Sequence, residues 1–208
     1  MTTFNLYIQK IQNRTTLHYI KGLFVRYIKH FKYAKAIRIA RKRGAIIGDN
    51  VCMPISLARK ANRNLIIGNH VSIQTDLIDL RNQVKIGNNV ILGKESEIIT
   101  TSHNIDSKDW ELKNYGIEIM DYVWIPTKVL ILPSCRKIGR GAVISSGSVV
   151  VKDVEPLSVI GGNPAKELKK RKLVHSDLVV ESLLGGDYEA YKKARKGTFS
   201  HLNFSFKP

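Results

Sequence analysis

The sequence predicts an all-β chain with helical ends: a solenoid of short parallel strands wound into a triangular prism. Three observations predict it. An aliphatic residue recurs every six positions, from Ile67 to Ile73, Ile86 to Leu92 to Ile98, Ile119 to Ile125 to Ile131, and Ile138 to Ile144 to Val150. Four residues after the aliphatic stands a small or β-branched residue: Val51, Val71, Val90, Ser96, Val129, Cys135, Ala142 and Ser148. Turn residues follow the aliphatic, as in Ile47-Gly48-Asp49-Asn50, Ile67-Gly68-Asn69-His70 and Ile86-Gly87-Asn88-Asn89.

The period excludes the alternatives. A step of six matches neither the ~3.6-residue turn of an amphipathic helix nor the ~3.5 of a heptad seam. It does fit two or three extended residues followed by a corner of Gly and Asn, which tolerate positive φ. Three such units make a coil of roughly eighteen residues, and coils stack like parallel strands ~4.8 Å apart. The steps from Ile47 to Ile67 and Ile67 to Ile86, 20 and 19 residues, are one coil plus a small insertion. The aliphatic points into the prism, and the residue four later points in near a corner.

The 208 residues divide into three parts on this reading. Residues 1–44 are a basic helical arm, 45–165 the repeat with a loop excursion over 99–118, and 166–208 a basic helical extension. In the arm, Leu17, Ile20, Phe24, Tyr27, Ile28 and Phe31 follow helical spacing and predict a helix over 16–43. Residues 1–48 hold eleven Lys and Arg and no acid, and so contribute +11 of the net +17. Two uses fit that helix. Its apolar stripe caps the open end of the prism, or its charge gives peripheral contact with an anionic membrane face. The extension predicts helix over 166–172, around Asp177–Leu184, and at Asp187–Lys196.

Val123-Trp124-Ile125, Ile131-Leu132-Pro133, Gly141-Ala142-Val143-Ile144, Gly147-Ser148-Val149-Val150, Lys152-Asp153-Val154 and Gly162-Asn163-Pro164-Ala165-Lys166 resemble the hexapeptide-repeat acyltransferases. Among these the chain is most similar to O-acetyltransferases of the maltose and galactoside type and to those that modify bacterial polysaccharides. The similarity covers residues 45–172 and is most specific over 122–166. It implies a left-handed parallel β-helix, since periodicity alone leaves the hand open. It also implies a homotrimer with active sites between neighbouring prisms and acetyl-CoA as acyl donor. The implied acceptor is a sugar hydroxyl, in capsule, exopolysaccharide or lipopolysaccharide synthesis.

The excursion is where a passive solenoid would need nothing, and long loops on rigid scaffolds carry chemistry. It opens with Thr101-Ser102-His103-Asn104. A hydroxyl attacks a thioester poorly unless a base of near-neutral pKa takes its proton, and histidine supplies one. The resemblance places the general base at His103. A partner on the other ring nitrogen would orient it. Asp106, Asp109 and a backbone carbonyl are the choices, and Asp106 is the side chain selected. Asn104 stands where the family often has Pro.

The resemblance puts Trp124, on an outward face, beside the acyl-donor cleft, with Thr127 contacting the donor. Pro126 departs from the family's Gly and removes one N–H. Ser146 and Gly147 match the small pair along which the pantetheine arm lies. Lys152, Lys166 and Lys169 are the cations for the phosphates of CoA.

Other classes are excluded or ranked lower. No apolar run approaches the ~18–20 residues of a membrane span, and the opening residues lack a signal-peptide pattern, so a cytoplasmic location is the expectation. Cys52 and Cys135 lie about four coils apart and are expected to stay reduced. No metal site is expected, because His70 and His103 are the only histidines of the prism. No reader motif accompanies the basic charge, which argues against nucleic acid. The rivals are N-acetylation of an amino sugar, acylation of an antibiotic on the same fold, and a non-catalytic β-helix scaffold.

Overall fold

A unit of six residues leaves room only for very short strands, and the prism is built from them. The computed structural model describes residues 3–175, 178–198 and 205–206. The first face stacks Ile46–Ile47, Leu65–Ile67, Val84–Ile86, Ile117–Ile119 and Lys137–Ile138. The second stacks Ser72–Ile73, Ile91–Leu92, Trp124–Ile125, Val143–Ile144 and Ser158–Gly162. The third stacks Glu97–Ile98, Leu130–Ile131 and Val149–Val150. All pairing within these three stacks is parallel.

The register follows the sequence repeat. Ile47, Ile67, Ile86, Ile119 and Ile138 pair in turn up the first face. Ile98, Ile131 and Val150 do so on the third. These aliphatics are buried, as are the residues four later, including Val71, Val90, Ser96, Val129, Cys135 and Ala142. The long step from Ile86 to Ile119 is made by an antiparallel hairpin, Thr101–His103 against Leu112–Asn114. It leaves the edge between the third and first faces.

The Gly-Asn corners have a physical reason. Asn69 Oδ1 accepts from the Asp49 amide, Asn88 Oδ1 from the Asn69 amide and Asp121 Oδ1 from the Asn88 amide, at 2.8, 2.8 and 2.7 Å. A side-chain ladder therefore runs up one edge. At Gly68 a Cβ would lie 2.7 Å from Asn88 Oδ1 and 2.9 Å from the Gly87 backbone, so the ladder requires glycine beside each amide. Asn50, His70 and Asn89 complete these corners with φ of 55°, 55° and 56°.

At the amino-terminal end, α1 (Thr3–Gln12) and α2 (Thr16–Lys42) precede the first strand. A third helix, α3 (Ile55–Lys60), interrupts the first coil. Leu57 and Ala58 of α3 and Ala36 and Ala40 of α2 are fully buried in the prism's core cluster. Of the two uses open to the stripe of Leu17, Ile20, Phe24, Tyr27, Ile28 and Phe31, the structure corrects the first, that it caps the prism. All six are exposed. Small residues in the last turns of α2 close the prism because they let the helix approach α3.

At the other end, residues 166–172 were expected to be helical. Ala165–Lys170 is instead a strand, antiparallel to Ser158–Gly162. Lys, Glu and Leu favour helix in isolation, but the exposed edge of Ser158–Gly162 supplies a ladder that overrides the preference. Beyond it lie a 3₁₀ turn, Val180–Leu184, and α4 (Tyr188–Arg195). Asp177, where a helix was expected to start, lies outside the described residues.

The tail folds back along the molecule. Ser72 Oγ donates to the Val180 carbonyl at 2.8 Å, and His70 Nδ1 meets Glu181 Oε1 at 3.2 Å. Buried Asp187 accepts from Arg26 Nε at 2.8 Å and from the Tyr7 hydroxyl at 2.6 Å. Ile11 of α1 packs with Tyr191 and Ala194 of α4. Cys52 and Cys135 are buried free thiols, and burial pushes both up to about 12.

Candidate active site

His103 ends the first strand of the hairpin, opposite Leu112. The base of that hairpin is fixed to the prism by Asp79. Its carboxylate accepts from the Thr100 amide at 3.1 Å and the Thr101 hydroxyl at 3.0 Å, and Arg81 holds it from the other side at 2.9 Å. Burial acts to raise the Asp79 pKa, but these hydrogen bonds outweigh it and keep the carboxyl well below the usual range. His103 is thus an exposed side chain on an anchored support.

The imidazole is oriented by the chain itself. His103 Nδ1 lies 2.6 Å from the carbonyl oxygen of Trp110. A carbonyl only accepts, so Nδ1 carries the hydrogen and a neutral ring presents the Nε2 lone pair outward. Asp106, the side chain selected for this role, is not the partner. The turn at Asn104–Ser107 folds on its own backbone, and the strand returning at Leu112 delivers Trp110 to the ring instead. Trp110 also packs edge-on against His103, with ring centroids 6.4 Å apart. Its φ of 55° turns the carbonyl in. Sequence reading left a backbone carbonyl among the choices, but a carbonyl has no letter of its own and Trp110 was not identified.

The other residues fall on a different edge. Trp124 stands on the second face beside Ile91 and Val143 and is 50% exposed. Pro126-Thr127 and Ser145-Ser146-Gly147 turn the chain from the second face to the third, and the Gly147 amide donates to the Thr127 carbonyl at 3.1 Å. Gly147 has φ +72°, and a Cβ there would meet nothing within 4 Å, so the edge beside it is open. Lys166 pairs with Gly161 at the end of this edge, and Lys169 with Val159. Thr127, Ser146 and Gly147 are exposed polar or small residues of one turn stack, and Lys166 and Lys169 are exposed on the strand beside it. A small cavity beside Trp124 is lined by Asn89, Tyr122 and Arg171 and by Val174, Leu178 and Val180 of the tail.

Lys152 departs from this group. It follows the third-face strand Val149–Val150 and so lies on the edge that carries the His103 hairpin. One chain therefore separates two sets: His103, Asp106 and Lys152 on one edge, and Trp124, Thr127, Ser146, Gly147, Lys166 and Lys169 on or beside another.

No family model matches the sequence. Chloramphenicol acetyltransferase from Klebsiella aerogenes is 57% identical over 49 residues, 24% of this chain and 23% of that protein. Galactoside O-acetyltransferase from Escherichia coli is 28% identical over 130 residues, 61% of this chain and 64% of that protein. The matched stretches thus span less than two thirds of either relative. The crystal structure of a maltose O-acetyltransferase from Clostridium difficile superimposes with a TM-score of 0.52 at 25% identity, covering 81% of this chain and 86% of that one. In sequence and in fold alike, the chain is similar to acetyltransferases, a galactoside and a maltose O-acetyltransferase among them.

Proposed function

We propose that this chain is an acetyl-CoA-dependent O-acetyltransferase acting on a sugar hydroxyl, in the synthesis of bacterial capsule, exopolysaccharide or lipopolysaccharide. The observation that carries the reading is the bond between His103 Nδ1 and the Trp110 carbonyl, which leaves Nε2 as the acceptor for a proton. Nε2 takes the hydrogen of the attacking hydroxyl as its oxygen bonds the thioester carbon. A prism backbone amide holds the oxyanion. The C–S bond then breaks, and the imidazolium returns the proton to the departing CoA sulfur. No metal enters the scheme.

The two sets of residues on separate edges support a homotrimer of left-handed prisms. In it His103 of one chain would face Trp124, Thr127, Ser146 and Gly147 of the next. Lys166 and Lys169 are the proposed contacts for the phosphates of CoA, and Lys152 would join them from the neighbouring edge. A cytoplasmic setting, where acetyl-CoA is available, belongs to the same proposal.

The test is release of CoA thiol from acetyl-CoA by the purified chain with a panel of hydroxyl and amino sugars. Transfer to a hydroxyl sugar that is lost in His103→Ala supports the reading. CoA that neither binds nor turns over leaves a non-catalytic solenoid. A second acceptor class belongs in the panel because the 57% match is to a chloramphenicol acetyltransferase. Turnover of chloramphenicol with none on sugars would replace the sugar by an antibiotic.

A further inference from the structure

Helix α2 has one face on the protein and the opposite face exposed. Arg26 bonds Asp187, the Tyr33 hydroxyl donates to the Leu184 carbonyl, and Ala36 and Ala40 are fully buried. At about 100° per residue, these four lie on one side of the helix. Leu17, Ile20, Phe24, Tyr27, Ile28 and Phe31 fall about half a turn away. They are 46–63% exposed. The helix thus carries two apolar faces, and docking to the tail and to α3 uses one; of the other, Tyr27 at its margin meets the Tyr188 ring of α4 edge-on at 5.7 Å and still stands 46% exposed.

The exposed band has a defined end. Its line continues down the helix as Lys35, Arg38 and Lys42, and Lys21 and Lys32 flank it on one side. Arg38 and Lys42 also line an open groove with Arg41, Ala34, Ile37 and Asn50. Apolar residues that end in cations match the layering of a bilayer surface, where acyl chains lie below a plane of phosphates.

We propose that this band docks α2, tilted with its amino-terminal half deeper, on an anionic phospholipid bilayer. The six apolar side chains would enter the acyl boundary, and Lys35, Arg38 and Lys42 would meet the phosphates. No helix among the described residues is long and apolar enough to cross a membrane, so the contact is interfacial. A second copy of the helix is a poorer occupant, because residues 1–48 hold eleven cations and no acid. Like charges would face one another in a self-paired band. The inference does not depend on the acetyltransferase reading.

The experiment is co-sedimentation of the full chain with phosphatidylcholine vesicles, with and without phosphatidylglycerol, at low and at physiological salt. Molar mass is measured in parallel by light scattering. Binding at least about tenfold stronger to the anionic vesicles and weakened by salt is expected. Phe24→Ser with Phe31→Ser, and separately Lys35→Glu with Arg38→Glu and Lys42→Glu, should each lower it by about tenfold or more. Molar mass and helix content should stay unchanged. Equal binding to neutral vesicles, binding to neither, or binding unaltered in both variants overturns the proposal. A fall in molar mass in the phenylalanine variant does so too, because the band is then an interface between copies.

Discussion

The carbonyl oxygen of Trp110 accepts a hydrogen bond from His103 Nδ1 at 2.6 Å, so the ring that would carry the chemistry is oriented by backbone. A main-chain acceptor survives side-chain substitution. Trp110→Gly keeps the carbonyl and relieves the left-handed φ of 55°. Turnover in that variant should stay within about tenfold of wild type, whereas His103→Ala should lose roughly 10²–10⁴-fold with folding intact. Steady-state CoA release and a thermal melt on both variants check this.

Asp106 should be dispensable. It is exposed and the imidazole is bonded elsewhere, so Asp106→Asn should leave turnover and its pH profile unchanged. A profile displaced along the pH axis would restore the carboxylate to the site.

Two glycines of the turn stack should respond differently. A Cβ at Gly93 would lie 2.5 Å from the Pro126 carbonyl carbon and 2.7 Å from the Thr127 nitrogen. Gly93→Ala must push the next coil, and overpacking of this kind costs about 1–3 kcal/mol or more. Gly147→Ala meets no atom but must hold φ +72°, at about 1–2 kcal/mol. Chemical denaturation should rank Gly93→Ala as the more damaging. Only it should displace Thr127.

Docking of the tail should depend on pH through His70. The hydrogen bond that the Glu181 carboxylate accepts from the ring raises the His70 pKa against an opposing effect of burial. A raised pKa means that the folded form binds the proton more tightly. Its contribution is then full below the unfolded value of about 6.5 and disappears as pH rises through the folded value. Hydrogen exchange across Val180–Leu184 should therefore speed up on going from acid to alkaline pH, beyond the intrinsic rate change. In His70→Gln that extra dependence should vanish.

Much of the prism was legible because its determinants are local. A six-residue step names Ile67, Ile86, Ile119 and Ile138, and those residues pair in register. His103 stood out because the repeat stops around it. What escaped notice depends on partners distant in the chain. Ile55–Lys60 is too short to show a helical period and is helical because Leu57 and Ala58 plug the prism under α2. Lys166–Lys170 reads as helix until the edge of Ser158–Gly162 is placed beside it. The stripe of α2 was legible as a stripe. Its direction was not, because spacing shows that six apolar residues share a face and says nothing of what that face meets.

The clasp between Arg26 and Asp187 changes how a solenoid comes apart. Coils that touch only their neighbours unravel from the ends, one layer at a time. Here the arm that precedes the first coil and the tail that follows the last are fastened together through Arg26, Tyr7 and Asp187, and again through Ile11 and Tyr191. Neither end is free to fray alone. The chain is closed on itself like a buckled strap, and undoing the buckle should convert a single cooperative transition into progressive peeling.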